Sequence, residues 1–330
     1  MGYPLLPVGP NAAGGAEQIL YLLDRGLVRR GWHSIVIAAR GSSVDGELIE
    51  SPACKGEMTE EVRKAARCDH LRLIEQTLDQ YPVDLLHFHG LDFFNYLPSN
   101  RVRKIATLHL PCAWYPDSVF AAKDVELVCV SDSQARSAPQ PALPVIRNGI
   151  DTAQFSGKCG ERKHLLWVGR ICPEKGVHIA LEVAHELDVP LVVAGPVHRY
   201  RDHEVYFAEK VQPLLDRKRR YAGPVGLSEK IRLLGEAFCL LIPSLVEETS
   251  SLVAMEAISS GTPVVAYRSG ALPEIVEHGV TGFVVDSQQQ MAEAVRRVVE
   301  ISSNTCRQQA LACFEAARMV EDYVRLYASQ

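Results

Sequence analysis

Short apolar runs recur along the chain at residues 34–39, 84–89, 104–109, 126–131, 164–169, 190–195, 238–243 and 263–267. Their apolar positions are continuous rather than alternating, which predicts parallel strands covered on both faces. Between them, the stretches 16–30, 59–80, 177–187, 287–302 and 305–328 carry apolar residues at helical spacing. This end-to-end alternation predicts an α/β protein built on doubly wound parallel sheets. Pro139, Pro141 and Pro144, followed by Asn148-Gly149-Ile150-Asp151, interrupt the pattern in mid-chain. They predict a boundary between two domains with a cleft between them.

The polar residues at the run ends are the next signal. Arg170 follows the run 164–169, Gly195 ends 190–195, Glu247 and Glu248 follow 238–243, and Ser269-Gly270 follow 263–267. Open parallel sheets bind ligands at the carboxyl ends of their strands, so these residues predict one site in the second domain. Arg170 and Lys175 flank Pro173 at a strand-to-helix turn, an arrangement suited to an anion such as a diphosphate. The plainer alternative is a loop with solvated charges. Glu256 is the only charged residue between Thr249 and Tyr267, inside a helix that is apolar on nearly every face. A carboxylate buried there must find strong donors, either the vicinal diol of a ribose or an internal Arg or Lys. Thr249, Ser250, Ser251 and Leu252 open this helix and offer a cap with free backbone N–H groups. Those groups suit sugar hydroxyls or phosphate oxygens, or serve only as a cap.

In the first half, Gly14-Gly15-Ala16-Glu17 leads into a helix and can bring backbone N–H groups to a phosphate, or simply turn the chain. His109 closes a strand just before Pro111 and is expected to point into the cleft, or to be structural. His87 and His89 should face opposite sides of a strand, which argues against a shared metal site. Phe93, Phe94, Tyr96, Trp114 and Tyr115 lie in loops, where they stack on an acceptor ring or pack beneath the loops. The run Arg217-Lys218-Arg219-Arg220 suits an anionic acceptor, a weak peripheral membrane contact, or a solvated face.

Composition narrows the classes. A length of 330 residues suits two domains, and a net charge of −5 argues against nucleic acid as the main partner. No apolar run approaches the roughly 18 residues of a membrane-spanning helix. The nine cysteines include no C-x-x-C pair, which argues against a disulfide framework or a zinc knuckle. A soluble cytoplasmic protein is the default expectation.

Taken together, the motifs Gly14-Gly15-Ala16-Glu17, Leu86-His87-Phe88-His89, Thr107-Leu108-His109, Val130-Ser131, Asn148-Gly149-Ile150-Asp151, Gly169-Arg170 through Lys175-Gly176, and Glu248 with Glu256 before Gly261-Thr262-Pro263-Val264-Val265 resemble the retaining GT-B glycosyltransferases of family 4. That resemblance covers nearly the whole chain. It implies two Rossmann-like doubly wound domains facing across a cleft: an acceptor-side domain at 1–147, a nucleotide-sugar domain at 148–310, and a last helix within 311–330 crossing back to the first domain. It also implies that Arg170 and Lys175 hold a donor diphosphate, Glu256 the ribose, Glu248 the donor sugar ring, and His109 the sugar from the first domain. The expected catalytic set is therefore His109, Arg170, Lys175 and Glu248. The expected donor-binding set is Gly14, Gly15, Gly195, Thr249, Ser250, Ser251, Leu252 and Glu256. The donor would be a nucleoside-diphosphate sugar and the acceptor a saccharide, lipid or natural product, with no cofactor required. No metal is expected, since the sequence has no Asp-x-Asp. The alternatives are a non-catalytic nucleotide-sugar-binding protein and a sugar-nucleotide epimerase or hydrolase. The chain departs from the family pattern at two places. Thr249-Ser250-Ser251 stand where the family writes Pro-Phe-Gly, which leaves the donor open. Residues 3–8 stand where it has a full first strand, and Pro4 and Pro7 are poor in a central strand. Either the coding start lies upstream or residues 3–8 form a short irregular substitute.

Overall fold

The computed structural model describes residues 1–52, 59–140, 142–157 and 160–329, so Pro141 lies outside the described residues. The chain divides into two compact units, Met1–Gly149 with Ala316–Gln330, and Ile150–Glu315. Each is α/β, and every pair of strands described in them is parallel.

In the first unit, β1 (Ile35–Ala39) pairs with β2 (Glu47–Ser51), and β3 (Leu85–Phe88), β4 (Arg103–Thr107) and β5 (Glu126–Val128) form a second sheet in that order. Met1 and Gly2 link the two. Gly2 N donates to Ile37 O (2.9 Å), and His89 N donates to Met1 O (2.9 Å). Residues 3–8 are therefore not the substitute strand. Pro4 and Pro7 have no N–H to donate to a ladder, and Val8 turns instead to the loop after β1, where its N donates to Ser42 Oγ (2.9 Å). The helix Gly15–Val28 buries Ile19, Leu20 and Leu23, and the helix Ala316–Ala328 packs beside it through Val320. A Cβ at Gly26 would overlap the Val320 side chain, so the close approach depends on that glycine.

The expected single helix 305–328 is two helices. Ser303–Cys313 belongs to the second unit and Ala316–Ala328 to the first. Between them Ile150 N donates to Phe314 O (2.8 Å) and a β-bridge joins Ile150 to Glu315, which stops the helix by claiming its backbone. Likewise the expected helix 287–302 closes at Arg297 and tightens into a 3₁₀ turn over Val298–Glu300. Ser302 then caps the next helix through Thr305 N.

The second unit is a six-stranded parallel sheet of β6 (His164–Val168), β7 (Leu191–Ala194), β8 (Arg219–Gly223), β9 (Ala237–Ile242), β10 (Val264–Tyr267) and β11 (Gly282–Val285). The spatial order is β11-β10-β9-β6-β7-β8. Counted within the unit this is 3-2-1-4-5-6, the doubly wound dinucleotide-binding order, and its winding reverses between β6 and β9. All eight apolar runs form strands; β2, β8 and β11 are additional. Strand β8 contains part of the basic run 217–220. Its Arg219 is buried, donating to Asp216 Oδ2 (2.7 Å) and Asp188 Oδ1 (3.3 Å), and Lys218 pairs with Asp188 (2.6 Å). Two of the four cations are thus neutralised within the unit, against a free basic patch for a membrane or an anionic acceptor. Among the described residues no helix is long and apolar enough to cross a membrane.

A chain of buried imidazoles and phenols fastens the C-terminal helix to the first unit. Tyr327 OH lies 2.6 Å from His87 Nδ1, His87 Nε2 lies 2.8 Å from Thr107 Oγ1, and Thr107 Oγ1 lies 2.8 Å from Tyr323 OH. His89 joins through His109 Nε2 (3.0 Å) and through His87 Nδ1 (3.3 Å). Expected on opposite faces, His87 and His89 have ring centroids 4.1 Å apart. Residues two apart on a strand share a face, so the period of two at the end of β3 itself brings these rings together, against the expectation. Burial holds His87 and His89 well below the ordinary histidine range, His109 at about 4 and His70 at about 3. Below about pH 6.5 the unfolded chain takes up protons that the folded one refuses, so stability falls as pH drops toward 4. Melting curves between pH 7 and pH 4 should show this loss, and a His109→Gln, His70→Gln variant should lose less over the same range. Equal losses in parent and variant would contradict the assignment.

Candidate functional site

The loops after β6 and β9 lie side by side at the carboxyl edge of the second unit, because those strands are neighbours and parallel. The loop after β6 runs through Arg170 to a 3₁₀ turn, Pro173–Lys175. That after β9 carries Glu247 and Glu248 toward the helix Leu252–Ser259. Backbone joins the two: Leu245 N donates to Glu174 O (2.8 Å). Glycines make two close approaches possible. A Cβ at Gly195 (φ +142°) would overlap the Gly169 carbonyl, and one at Gly270 (φ +53°) would overlap the Glu248 backbone. Ala271 N accordingly reaches Glu248 O at 2.7 Å.

Four of the expected residues meet on this edge. Lys175 Nζ lies 2.6 Å from Glu248 Oε1, and Ser244 Oγ donates to the same oxygen at 2.6 Å. Arg170 is exposed, with its nearest described carboxylate, Glu174 Oε1, at 3.9 Å from Nη2. Gly195 ends β7 beside Gly169, whose N donates to Ala194 O (3.0 Å). The helix opening expected to bind donor is present as a cap, with Ser251 Oγ accepting from Ala254 N, while Thr249 and Ser250 stay half-buried ahead of it. An exposed guanidinium, an ammonium held by one carboxylate and the start of a helix together form a cationic rim at the point where the sheet's winding reverses. Such a rim can bind a diphosphate.

Glu256 is buried as expected, at 3% exposure, and Lys230 of the helix Leu227–Gly235 satisfies it at 2.6 Å. Of the two donor sets open in the sequence, the internal cation is the one observed. Lys230 contacts Oε1, and a carboxylate offers two oxygens with about four lone pairs, so accepting a diol alongside Lys230 remains within its capacity. Sequence reasoning missed Lys230, which sits among ordinary polar residues of an amphipathic helix and carries no positional mark.

The expected first-unit residues lie apart from this cluster in sequence and in unit. Gly14 precedes the helix Gly15–Val28 and is crowded by Glu17, whose buried carboxyl is raised by desolvation. His109 follows β4, and Tyr115 OH accepts from both His109 N (3.0 Å) and Leu110 N (3.2 Å). Of the loop aromatics, Phe93, Tyr96 and Tyr115 are core and Trp114 is exposed.

A glycogen synthase of Mycobacterium tuberculosis is 34% identical over 169 residues, 48% of this chain and 40% of that protein. The chain thus spans less than half the length of that curated relative. Among solved structures, sucrose-phosphate synthase from Thermosynechococcus elongatus superposes with a TM-score of 0.79 at 18% identity, covering 98% of this chain and 95% of that one. Anabaena HepE in complex with UDP-glucose gives 0.76 at 17%, covering 96% of each chain. These likenesses establish the fold, a GT-B arrangement of Rossmann-like units. Residues 151–317 match the family described as glycosyl transferases group 1, and the chain belongs to that family.

Proposed function

We propose that this chain is a retaining glycosyltransferase of family 4, moving a sugar from a nucleoside-diphosphate sugar to a saccharide, lipid or natural-product acceptor. The observation that carries this reading is the meeting of Arg170, Lys175 and Glu248 where the winding of the six-stranded sheet reverses, with Glu256 on the helix that follows. In this reading residues 148–310 bind donor, residues 1–147 present the acceptor, and the last helix, within 311–330, returns to the acceptor side. The donor diphosphate replaces Glu248 as the partner of Lys175, and Arg170 adds a second cation. Glu248, released, accepts from hydroxyls of the donor sugar, Glu256 accepts from the ribose diol beside Lys230, and His109 contacts the sugar from the first unit. Gly14, Gly15 and the opening residues Thr249, Ser250, Ser251 and Leu252 supply backbone or hydroxyl donors to the donor's oxygens.

The chemistry follows from that arrangement. The bond from the anomeric carbon to the phosphate oxygen breaks, and the acceptor oxygen attacks the same face. A phosphate oxygen of the leaving diphosphate takes the acceptor's proton, and the configuration is retained. Arg170 and Lys175 stabilise the charge that grows on the diphosphate. The UDP-glucose held by the Anabaena structure makes that sugar nucleotide the first donor to test.

At about 100-fold excess over its Kd, a ligand that binds only the folded state adds about 2.7 kcal/mol of stability. Melting temperatures measured with UDP-, GDP-, ADP- and dTDP-glucose should therefore rise by several degrees for at least one; no shift with any of them counts against the reading. With the donor so identified, Arg170→Ala and Lys175→Ala should each lower turnover by roughly 100-fold or more. Near-parental rates in both variants, measured as nucleoside-diphosphate release, would remove these residues from the mechanism.

Glu256→Gln should weaken nucleoside-diphosphate binding by about 1.5–3 kcal/mol, the usual worth of hydrogen bonds to a charged group. Calorimetric titration should show a larger loss for the ribonucleotide than for its 2′-deoxy analogue. Equal losses for the two would leave Glu256 with Lys230 alone.

A further inference from the structure

Behind the exposed face of the turn after β6 lies a second cluster. Cys172 and Glu174 belong to that turn, and His203 comes from the helix Arg201–Tyr206, which follows β7. One ligand-type atom from each lies within 4.8 Å of the other two. The cluster mixes sulfur, nitrogen and oxygen, and it bridges two segments that are anchored separately. Ile171 N donates to Pro196 O (2.9 Å) on one side, and His178 N donates to Tyr206 OH (3.3 Å) on the other. One polar atom of its residues is unaccounted for: His203 Nδ1 is buried with no hydrogen-bond partner. The Cys172 thiol is buried as well, with the Arg170 carbonyl at 3.4 Å and the Glu174 carboxylate as its hydrogen-bond neighbours.

We propose that Cys172, Glu174 and His203 bind a zinc ion. Zinc takes thiolate sulfur at about 2.3 Å and imidazole nitrogen or carboxylate oxygen at about 2.0–2.2 Å, which sets tetrahedral ligand atoms about 3.5 Å apart. Side-chain rotation of about an ångström closes the cluster to that size. A thiolate with an imidazole selects zinc over magnesium or calcium, which prefer all-oxygen shells. On binding, the Zn–S bond forms as the Cys172 proton leaves to solvent. Three protein ligands leave a fourth position for water. The ion ties the turn that carries Arg170 and Lys175 to the helix Arg201–Tyr206. It also takes up the Glu174 carboxylate that otherwise lies 3.9 Å from Arg170. The site stands on its own geometry and does not depend on the donor assignment.

The test uses the full chain, stripped with a chelator and titrated with Co²⁺, whose thiolate complexes absorb strongly in the near ultraviolet. One equivalent should bind with that absorption, Zn²⁺ should displace it, and Zn²⁺ should raise the melting temperature. Cys172→Ser should abolish the band. His203 is half-buried on a short helix, so His203→Gln should keep the parental circular dichroism and bind Co²⁺ roughly tenfold or more weakly, the least expected for losing a metal contact. Among the described residues Cys68 and Cys313 are exposed thiols, and a band unchanged in Cys172→Ser would assign the metal to a cysteine other than Cys172. That result, no band in the parent, or parental affinity in His203→Gln would each overturn the proposal.

Discussion

The adjacency of β6 and β9 is the constraint from which the rest of the second unit's edge follows. In a parallel sheet every strand delivers its following loop to the same side. Where winding reverses, two neighbouring strands send their chains away from each other and leave a crevice between the loops. The Leu245–Glu174 backbone bond spans that crevice, and the Lys175–Glu248 pair sits in it. The register of the two strands is irregular only between His164 and Leu166, at their amino ends.

Electrostatics gives this edge a resting state. Lys175 with Glu248 and Lys230 with Glu256 are each 2.6 Å pairs, and the second is almost wholly buried. Withdrawing one member of a buried pair leaves a costly uncompensated charge. A ligand that drew Lys175 away from Glu248 would therefore have to bring both an anion for the lysine and donors for the carboxylate. Neither a bare anion nor a neutral polyol meets both demands, whereas a molecule combining phosphate with hydroxyls does.

Sequence reasoning reached the strands of both units because continuous apolar runs have few alternatives to a sheet covered on both faces. It missed β2, β8 and β11 for separate reasons: the segment Glu47–Ser51 is largely polar, β8 carries two arginines, and β11, though buried throughout, is only four residues long. The break at Phe314 and Glu315 was invisible because it comes from pairing with Ile150, far away in sequence. At the site, Arg170, Lys175 and Glu248 were legible from their places at strand ends, and Glu256 from its isolation in an apolar helix. Lys230 and His203 were not, since each acts through a partner that only the tertiary fold brings near.

The pairing of Ile150 with Phe314 and Glu315 closes the second unit on itself, as an insertion within the first. During synthesis the second unit is complete once Glu315 emerges. The first is not, because the groove beside Gly26 waits for Val320, and His87 waits for Tyr327. Domains fold as units while the chain is made, generally the earlier one first. Here the order is inverted: the unit begun first is finished last, and until then its apolar groove is exposed to chaperones and to neighbouring nascent chains.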